Sequence, residues 1–209
     1  MRIVFFGPPG SGKGTQADRM SKRYKLHHLS TGLMLREEIH NKSELGKRIR
    51  KIVESGHLVD DETVNEEVFS KVCKYDRFLL DGYPRNLFQA ESLDEYLEEE
   101  KKPLSGAVFI TIPDEEVIER LSGRLTCSRC GFTGKQPLYH PGDECIRCGT
   151  ALIERNDDRT EVIEQRLVQY HSLTKHLEKY YHDRLLIIDG MGTVDQVALR
   201  LEEALSIWE

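Results

Sequence analysis

The stretch GPPGSGKGT (Gly7–Thr15) decides the fold. It follows the short apolar run RIVFF (Arg2–Phe6) and opens a helix-like segment in which Ala17, Met20 and Tyr24 are spaced for one face. Strand, glycine loop and helix in that order form a phosphate-binding loop. Gly7, Gly10 and Gly12 let the backbone turn so that successive N–H groups face an anion, and the helix N-terminus adds its positive dipole end. Lys13 supplies a full positive charge. The residue directly after the lysine is Gly14, where a hydroxyl is usual, and Thr15 follows. A direct hydroxyl contact to Mg²⁺ is therefore not implied, and a carboxylate acting through water must take that part. Asp81, ending the run RFLLD, is placed for it; as part of Asp-Gly it is also a turn signal.

Outward from this loop, short apolar runs alternate with helical ones. Arg77–Leu80, Gly106–Thr111 and Leu185–Asp189 read as strands buried on both faces of a parallel sheet, with KLHHLS (Lys25–Ser30) a weaker fifth. Helical segments cover Glu62–Val72 and Arg159–Tyr181, the latter with Val162, Leu167, Tyr170, Leu173 and Leu177 apolar. The expectation is an α/β P-loop fold of three layers around a five-stranded parallel sheet with right-handed crossovers. Thr31–Val59 is helical with no strand, and Arg124–Asp158 is rich in Gly, Pro and charge. Both read as excursions from the core. DEYLEEEKKP reads as an exposed helix end stopped by Pro103.

The 209 residues allow one sizeable core with an insertion or two. Net charge is −6, which argues against broad electrostatic binding of nucleic acid. No apolar run nears the roughly 20 residues that span a bilayer. The opening MRIVFFGPPGSGKGT carries no signal-peptide pattern, so the expected location is cytoplasmic, with no membrane partner.

Four of the five cysteines form two Cys-x-x-Cys pairs, Cys127–Cys130 and Cys145–Cys148, each followed by glycine. In a reducing compartment such pairs hold a metal. Four thiolates suit tetrahedral Zn²⁺ and leave no open position for chemistry, with iron or cobalt also open. His140 lies between the pairs as a solvated loop residue. Cys73 reads as a small apolar residue on a helix.

Six ordered stretches resemble the adenylate kinase family over nearly the whole chain: GPPGSGKGT, LSTGLMLR (Leu29–Arg36), SGHLVDDETV (Ser55–Val64), FLLDGYPRNLFQA (Phe78–Ala90), RLSGRLTC (Arg120–Cys127) and ERNDDRTEVIEQRL (Glu154–Leu167). The resemblance implies a core of residues 1–29, 60–123 and 159–209, an AMP-binding domain at 30–59 and a mobile zinc-bearing lid at 124–158. It implies transfer of a phosphoryl group from MgATP to AMP. Gly10, Ser11, Gly12, Lys13, Gly14, Thr15, Arg120, Arg124, Thr133 and Gly192 would hold ATP. Thr31, Arg36, His57, Leu58, Val59, Gly82, Tyr83, Pro84, Arg85, Gln89, Arg155 and Arg166 would hold AMP. Lys13, Arg85, Arg120, Arg124, Arg155 and Arg166 would surround the transferring group. Asp81, Asp157 and Asp158 would hold the hydrated Mg²⁺, with Asp157 and Asp158 also readable as a helix N-cap. A monomer is implied.

The chain departs from the zinc-bearing pattern at one point. Thr133 keeps its place, but Gly134 stands where relatives carry tyrosine, and Tyr139-His140 come later. Two other readings stay open. A kinase for UMP or CMP fits Asn86, whereas the amide of Gln89 suits the N6 and N1 edge of adenine. A nucleotide-switched adaptor with a nucleic-acid-binding knuckle fits the acidic charge poorly.

Overall fold

The computed structural model describes residues 1–208. In chain order the elements are β1 (Arg2–Phe6), α1 (Lys13–Tyr24), β2 (His27–Ser30), α2 (Thr31–His40), α3 (Glu44–Glu54), α4 (Asp61–Val72), β3 (Phe78–Asp81), α5 (Leu87–Glu99), β4 (Gly106–Thr111) and α6 (Asp114–Leu121). There follow β5 (Arg124–Cys127), β6 (Thr133–Lys135), β7 (Leu152–Glu154), α7 (Thr160–Ser172), α8 (Leu177–Tyr180), β8 (Leu185–Asp189) and α9 (Val194–Leu205).

The five-stranded sheet runs β2-β3-β1-β4-β8, all parallel, as the apolar runs predict. Alternation along β1 divides the core into two layers. Val4 and Phe6 face Val68 on α4 and Leu93 on α5, while Ile3 and Phe5 face Ala17 and Met20 on α1 and Leu201 on α9. Each of the larger fully buried side chains contributes about 1.5–3 kcal/mol, and the methyl of Ala17 less. β8 was expected to be buried on both faces but closes one edge, so Ile187 is exposed.

The first excursion forms the helical pair α2–α3, joined tightly because Gly46 has no side chain to strike the Glu38 carbonyl. Ser43 caps α3 by accepting from the Gly46 N–H at 2.9 Å. The second excursion forms a separate antiparallel sheet, β6-β5-β7. Its small core is Leu125, Cys127, Cys145 and Leu152, flanked by Phe132 and Tyr139. Leu138 and Ile146 lie outside that core and are exposed.

Three local expectations differ. The helix expected to run from Arg159 to Tyr181 breaks at Leu173, whose φ of −124° is not helical; a 3₁₀ turn and α8 follow. Ile163, rather than Val162, joins Leu167, Tyr170 and Leu177 as its buried positions. Cys73 is exposed at the C-cap of α4, where its thiol donates to the Ser70 carbonyl at 3.4 Å.

Candidate active site

One cavity of about 840 Å³ lies over the C-terminal ends of β1 and β3, between the α2–α3 pair and the second sheet. Its floor is the glycine loop. Gly7, Gly10 and Gly12 all have positive φ, at 145°, 76° and 85°. A side chain at Gly7 would collide with the Ile110 carbonyl, 2.2 Å away, so only glycine brings the loop this close to β4. Gly12 is the N-cap of α1, leaving the first-turn N–H groups open to an anion.

Lys13 bends back over the loop and donates to the carbonyls of Gly7 and Pro8 at 3.0 and 2.7 Å. Burial pushes its pKa down to about 7, with Asp81 pulling the other way. Asp81 is buried at the end of β3, and its Oδ2 accepts from Ser30 Oγ at 3.1 Å. Against burial, which would push its pKa up, His28, Lys13 and Ser30 hold the carboxyl below its ordinary value. Gly14 explains the departure from the usual hydroxyl: even a Cβ there would stand 3.2 Å from Asp81 Oδ2. The carboxylate takes up the space.

Arginines from five segments converge above the loop. Arg124 opens β5 and grips Asp158 with two bonds, Nε to Oδ2 at 2.7 Å and Nη2 to Oδ1 at 2.6 Å. Arg155 grips Asp157 in the same two-pronged way. Arg166, on α7, donates to Asp158 Oδ1 at 2.8 Å and to the Asp157 carbonyl at 2.9 Å. Arg36 and Arg85 complete the wall, Arg85 tied to the Gly82 carbonyl at 2.9 Å. Burial, with the neighbouring charge of Arg155, pushes Arg124 down to about 10, and burial likewise lowers Arg36, Arg85 and Arg166. Against burial, Arg155 and Arg166 hold Asp157 well below the usual carboxylate range. This is a strongly positive pocket, suited to polyphosphate.

The positions expected from the sequence are mostly brought together. Gly10–Thr15, Arg120, Arg124, Thr133 and Gly192 line the cavity, as do Arg36, Leu58, Gly82, Pro84, Arg85, Arg155 and Arg166. Arg120 sits apart from the other arginines, held by Glu116 at 2.6 Å and by the Gly190 carbonyl at 3.0 Å. Asp157 and Asp158 lie behind the wall in arginine pairs, and neither caps α7, whose N-cap Arg159 makes no side-chain cap bond. Thr31, His57, Val59, Tyr83 and Gln89 stand off the cavity surface. Thr31 and Tyr83 are buried, and Gln89 has its amide turned inward, Oε1 to the Arg85 N–H at 2.8 Å and Nε2 to Asp61 Oδ1 at 2.7 Å.

Other lining residues were not anticipated. Arg147, within the second cysteine pair, reaches Asp18 on α1 at 2.8 Å and packs over the Phe132 ring. The ring of Tyr139 lies directly on Gly134, where a Cβ would come within 2.7 Å of it. The glycine at the departure point thus makes room for an aromatic that arrives five positions later. No spacing rule reports either contact.

The four cysteine sulfurs lie within 4.8 Å of one another. Cys127 Sγ is 3.4 Å from Cys148 Sγ, and Cys130 Sγ is 3.5 Å from Cys145 Sγ. The Arg147 N–H points to Cys145 Sγ at 3.4 Å. Within the cluster the shifts oppose one another: hydrogen bonding from Thr150 draws the Cys148 thiol down, while burial pushes the Cys130 thiol up. A closed set of four thiols with backbone N–H support fits a tetrahedral metal ion.

A P-loop, a crowd of arginines and a cavity roomy enough for two phosphate chains define a nucleotide phosphotransferase. The family model "Adenylate kinase" matches residues 5–185. An adenylate kinase of Petrotoga mobilis is 40% identical over 205 residues, covering 96% of this chain and 95% of its own. One of Acetivibrio thermocellus is 41% identical over 213 residues, covering 99% and 98%. One of Archaeoglobus fulgidus is 40% identical over 201 residues, covering 93% and 92%. The chain belongs to the adenylate kinase family.

Proposed function

We propose that this protein catalyses the reversible reaction MgATP + AMP ⇌ 2 ADP. The observation that carries the reading is the single cavity in which the P-loop with Lys13 faces Arg36, Arg85, Arg124, Arg155 and Arg166. Phosphoryl transfer needs little covalent work; positioning and charge neutralisation supply most of the acceleration.

In this reading the loop Gly10–Thr15 wraps the phosphates of ATP, with Arg120, Thr133 and Gly192 towards its nucleoside. Arg36 and Arg85 hold the phosphate of AMP, beside Leu58 and the Gly82–Pro84 backbone. Lys13, Arg124, Arg155 and Arg166 meet the charge that spreads over the γ-phosphoryl oxygens. Residues 124–158 close as a lid, exclude water, and deliver Arg124 and Arg155. Residues 30–59 close over AMP from the opposite side.

Mg²⁺ would arrive with ATP and supply positive charge that offsets the charge of its phosphates. Asp81, buried, ionised and on the cavity wall, fits as the group that holds its water shell. Asp157 and Asp158, already gripped by arginines, fit better as the residues that hold those arginines in place. The four cysteines fit Zn²⁺ with a structural part in the lid. No described helix is long and apolar enough to cross a membrane. A cytoplasmic monomer without nucleic-acid partners completes the reading.

A coupled assay with ATP and AMP, CMP, UMP or GMP tests it. AMP is the expected acceptor by a wide margin. Equal use of CMP or UMP would sink the adenylate assignment while leaving the phosphotransfer chemistry intact.

A further inference from the structure

We propose that Asp61 is a positioning residue that fixes the side-chain amide of Gln89 in one orientation and so favours adenine over guanine in the acceptor site. The inference rests on the reading of Gln89 as the residue that meets the acceptor base.

Gln89 lies on the first turn of α5 and is 2% exposed. Its amide sits immediately behind Arg85, which lines the cavity. Both ends of the amide are held. The backbone N–H of Arg85 donates to Oε1 at 2.8 Å, and Nε2 donates to Asp61 Oδ1 at 2.7 Å. The chemistry of the two partners decides which end is which. A backbone N–H can only donate, so it must face the amide oxygen. A carboxylate can only accept, so it must face the amide nitrogen. Turning the amide over would break both bonds and set N–H against N–H and oxygen against carboxylate.

That choice matters because the two purines present reversed patterns. At the same positions adenine offers an acceptor, N1, and a donor, the N6 amino group. Guanine offers a donor, N1–H, and an acceptor, O6. An amide free to turn over can serve either base. A fixed one, with one N–H and one lone pair remaining, presents a single order of donor and acceptor and serves only one; in the proposal that one is adenine, whose N1 would take the N–H and whose N6 amino group would meet the lone pair.

Asp61 is free for this task. It is the first residue of α4, but the helix cap is supplied by Asp60, whose Oδ1 accepts from the Thr63 N–H at 2.9 Å. The Asp61 carboxylate instead reaches across to α5, where the same Oδ1 also accepts from Asn86 Nδ2 at 2.8 Å. Asn86 caps α5 by accepting from the Gln89 N–H at 2.9 Å. The carboxylate thus ties down both ends of the turn that carries Gln89.

The test compares wild type with Asp61→Ala and Asp61→Asn, after thermal unfolding has shown that each folds. Initial rates are measured with AMP and with GMP at saturating ATP, and with varied ATP at saturating AMP. The wild type is expected to prefer AMP strongly. In Asp61→Ala the AMP-to-GMP ratio of kcat/KM should fall by about tenfold, the loss of one hydrogen bond to a charged group. The change should come through the KM of the acceptor, with the KM of ATP unmoved. Asp61→Asn, which keeps an oxygen to offer, should fall less. A variant that is less stable but keeps the AMP-to-GMP ratio would show that Asp61 only braces the α4–α5 contact, and the proposal would be wrong. A wild type indifferent to AMP and GMP would instead overturn the reading of Gln89 itself.

Discussion

Arg147 and Asp18 meet at 2.8 Å although 129 positions separate them in the chain. The first sits in the metal-binding knuckle and the second on α1, so the pair bridges the proposed lid and the core. Arg147 also lies over Phe132, which steadies the guanidinium. Both partners keep contact with water, and Asp18 also pairs with Lys22 at 3.0 Å, so the bridge contributes no more than about 1 kcal/mol.

Loss of that bridge should open the lid. Arg147→Ala or Asp18→Asn is expected to raise the open fraction about two- to fivefold in the absence of nucleotide, the Boltzmann factor of such a bridge. Energy transfer between a label at the lid tip and one on α1 reads this directly. An unchanged distance distribution would remove the pair as a latch.

Lys13→Met and Arg85→Ala should each lower turnover by on the order of 10²–10³. Their melting temperatures should move little in comparison, since both side chains meet the cavity rather than the apolar layers. Near-normal turnover in either variant would take that residue out of the mechanism.

The depressed pKa of Lys13 has a measurable sign. With a folded value of about 7 against about 10.4 in an unfolded chain, the unfolded state binds the extra proton between those limits. The cost of this lysine is therefore full below pH 7 and is relieved as pH rises towards 10. An arriving polyphosphate should restore the charge. At pH 8, ATP binding should take up a proton, seen as a dependence of binding enthalpy on the ionisation enthalpy of the buffer. Lys13→Met should abolish that dependence.

Removal of metal should act on structure before chemistry. Two buried leucines, Leu125 and Leu152, contribute about 1.5–3 kcal/mol each to the small sheet. A structural zinc supplies about 10–16 kcal/mol. Chelation or Cys145→Ser should lower the melting temperature and make residues 124–158 sensitive to protease, with activity lost in step. A protease-resistant, metal-free lid with no turnover, restored at once by zinc, would assign the ion to the reaction instead.

Gln89→Leu should weaken AMP use by roughly 1–3 kcal/mol through unpaired polar groups. The same change strips a partner from the Arg85 N–H and from Asp61, so some loss of stability should accompany it. A variant with wild-type AMP kinetics would exclude the side chain from base recognition.

What was legible in the sequence was what local chemistry dictates. The glycine loop, the parallel strands and the paired cysteines each depend on neighbours a few residues away, and each is found where expected. β8 was legible as a strand but not as an edge, since edge position is set by the order of the whole sheet. The break at Leu173 was hidden because Thr174 bonds the Arg85 carbonyl at 2.8 Å, pulling the chain out of helical register from another part of the fold. The inward turn of Gln89 and the seat of Tyr139 on Gly134 likewise depend on partners that only the folded chain supplies. The residues of the candidate site could be named one by one, but their groupings, such as Arg120 apart from Arg124, Arg155 and Arg166, could not.

The pairing of Arg124, Arg155 and Arg166 with Asp157 and Asp158 has a consequence for how nucleotide enters. These guanidinium groups are not bare when the cavity is empty; each already has a resident counter-ion from its own chain. Binding then leaves the carboxylates in place: each arginine keeps its partner and turns its remaining N–H groups to phosphate, already oriented and already short of hydration. The positive charge of such a site is assembled before nucleotide arrives, so binding does not have to gather it from solvent.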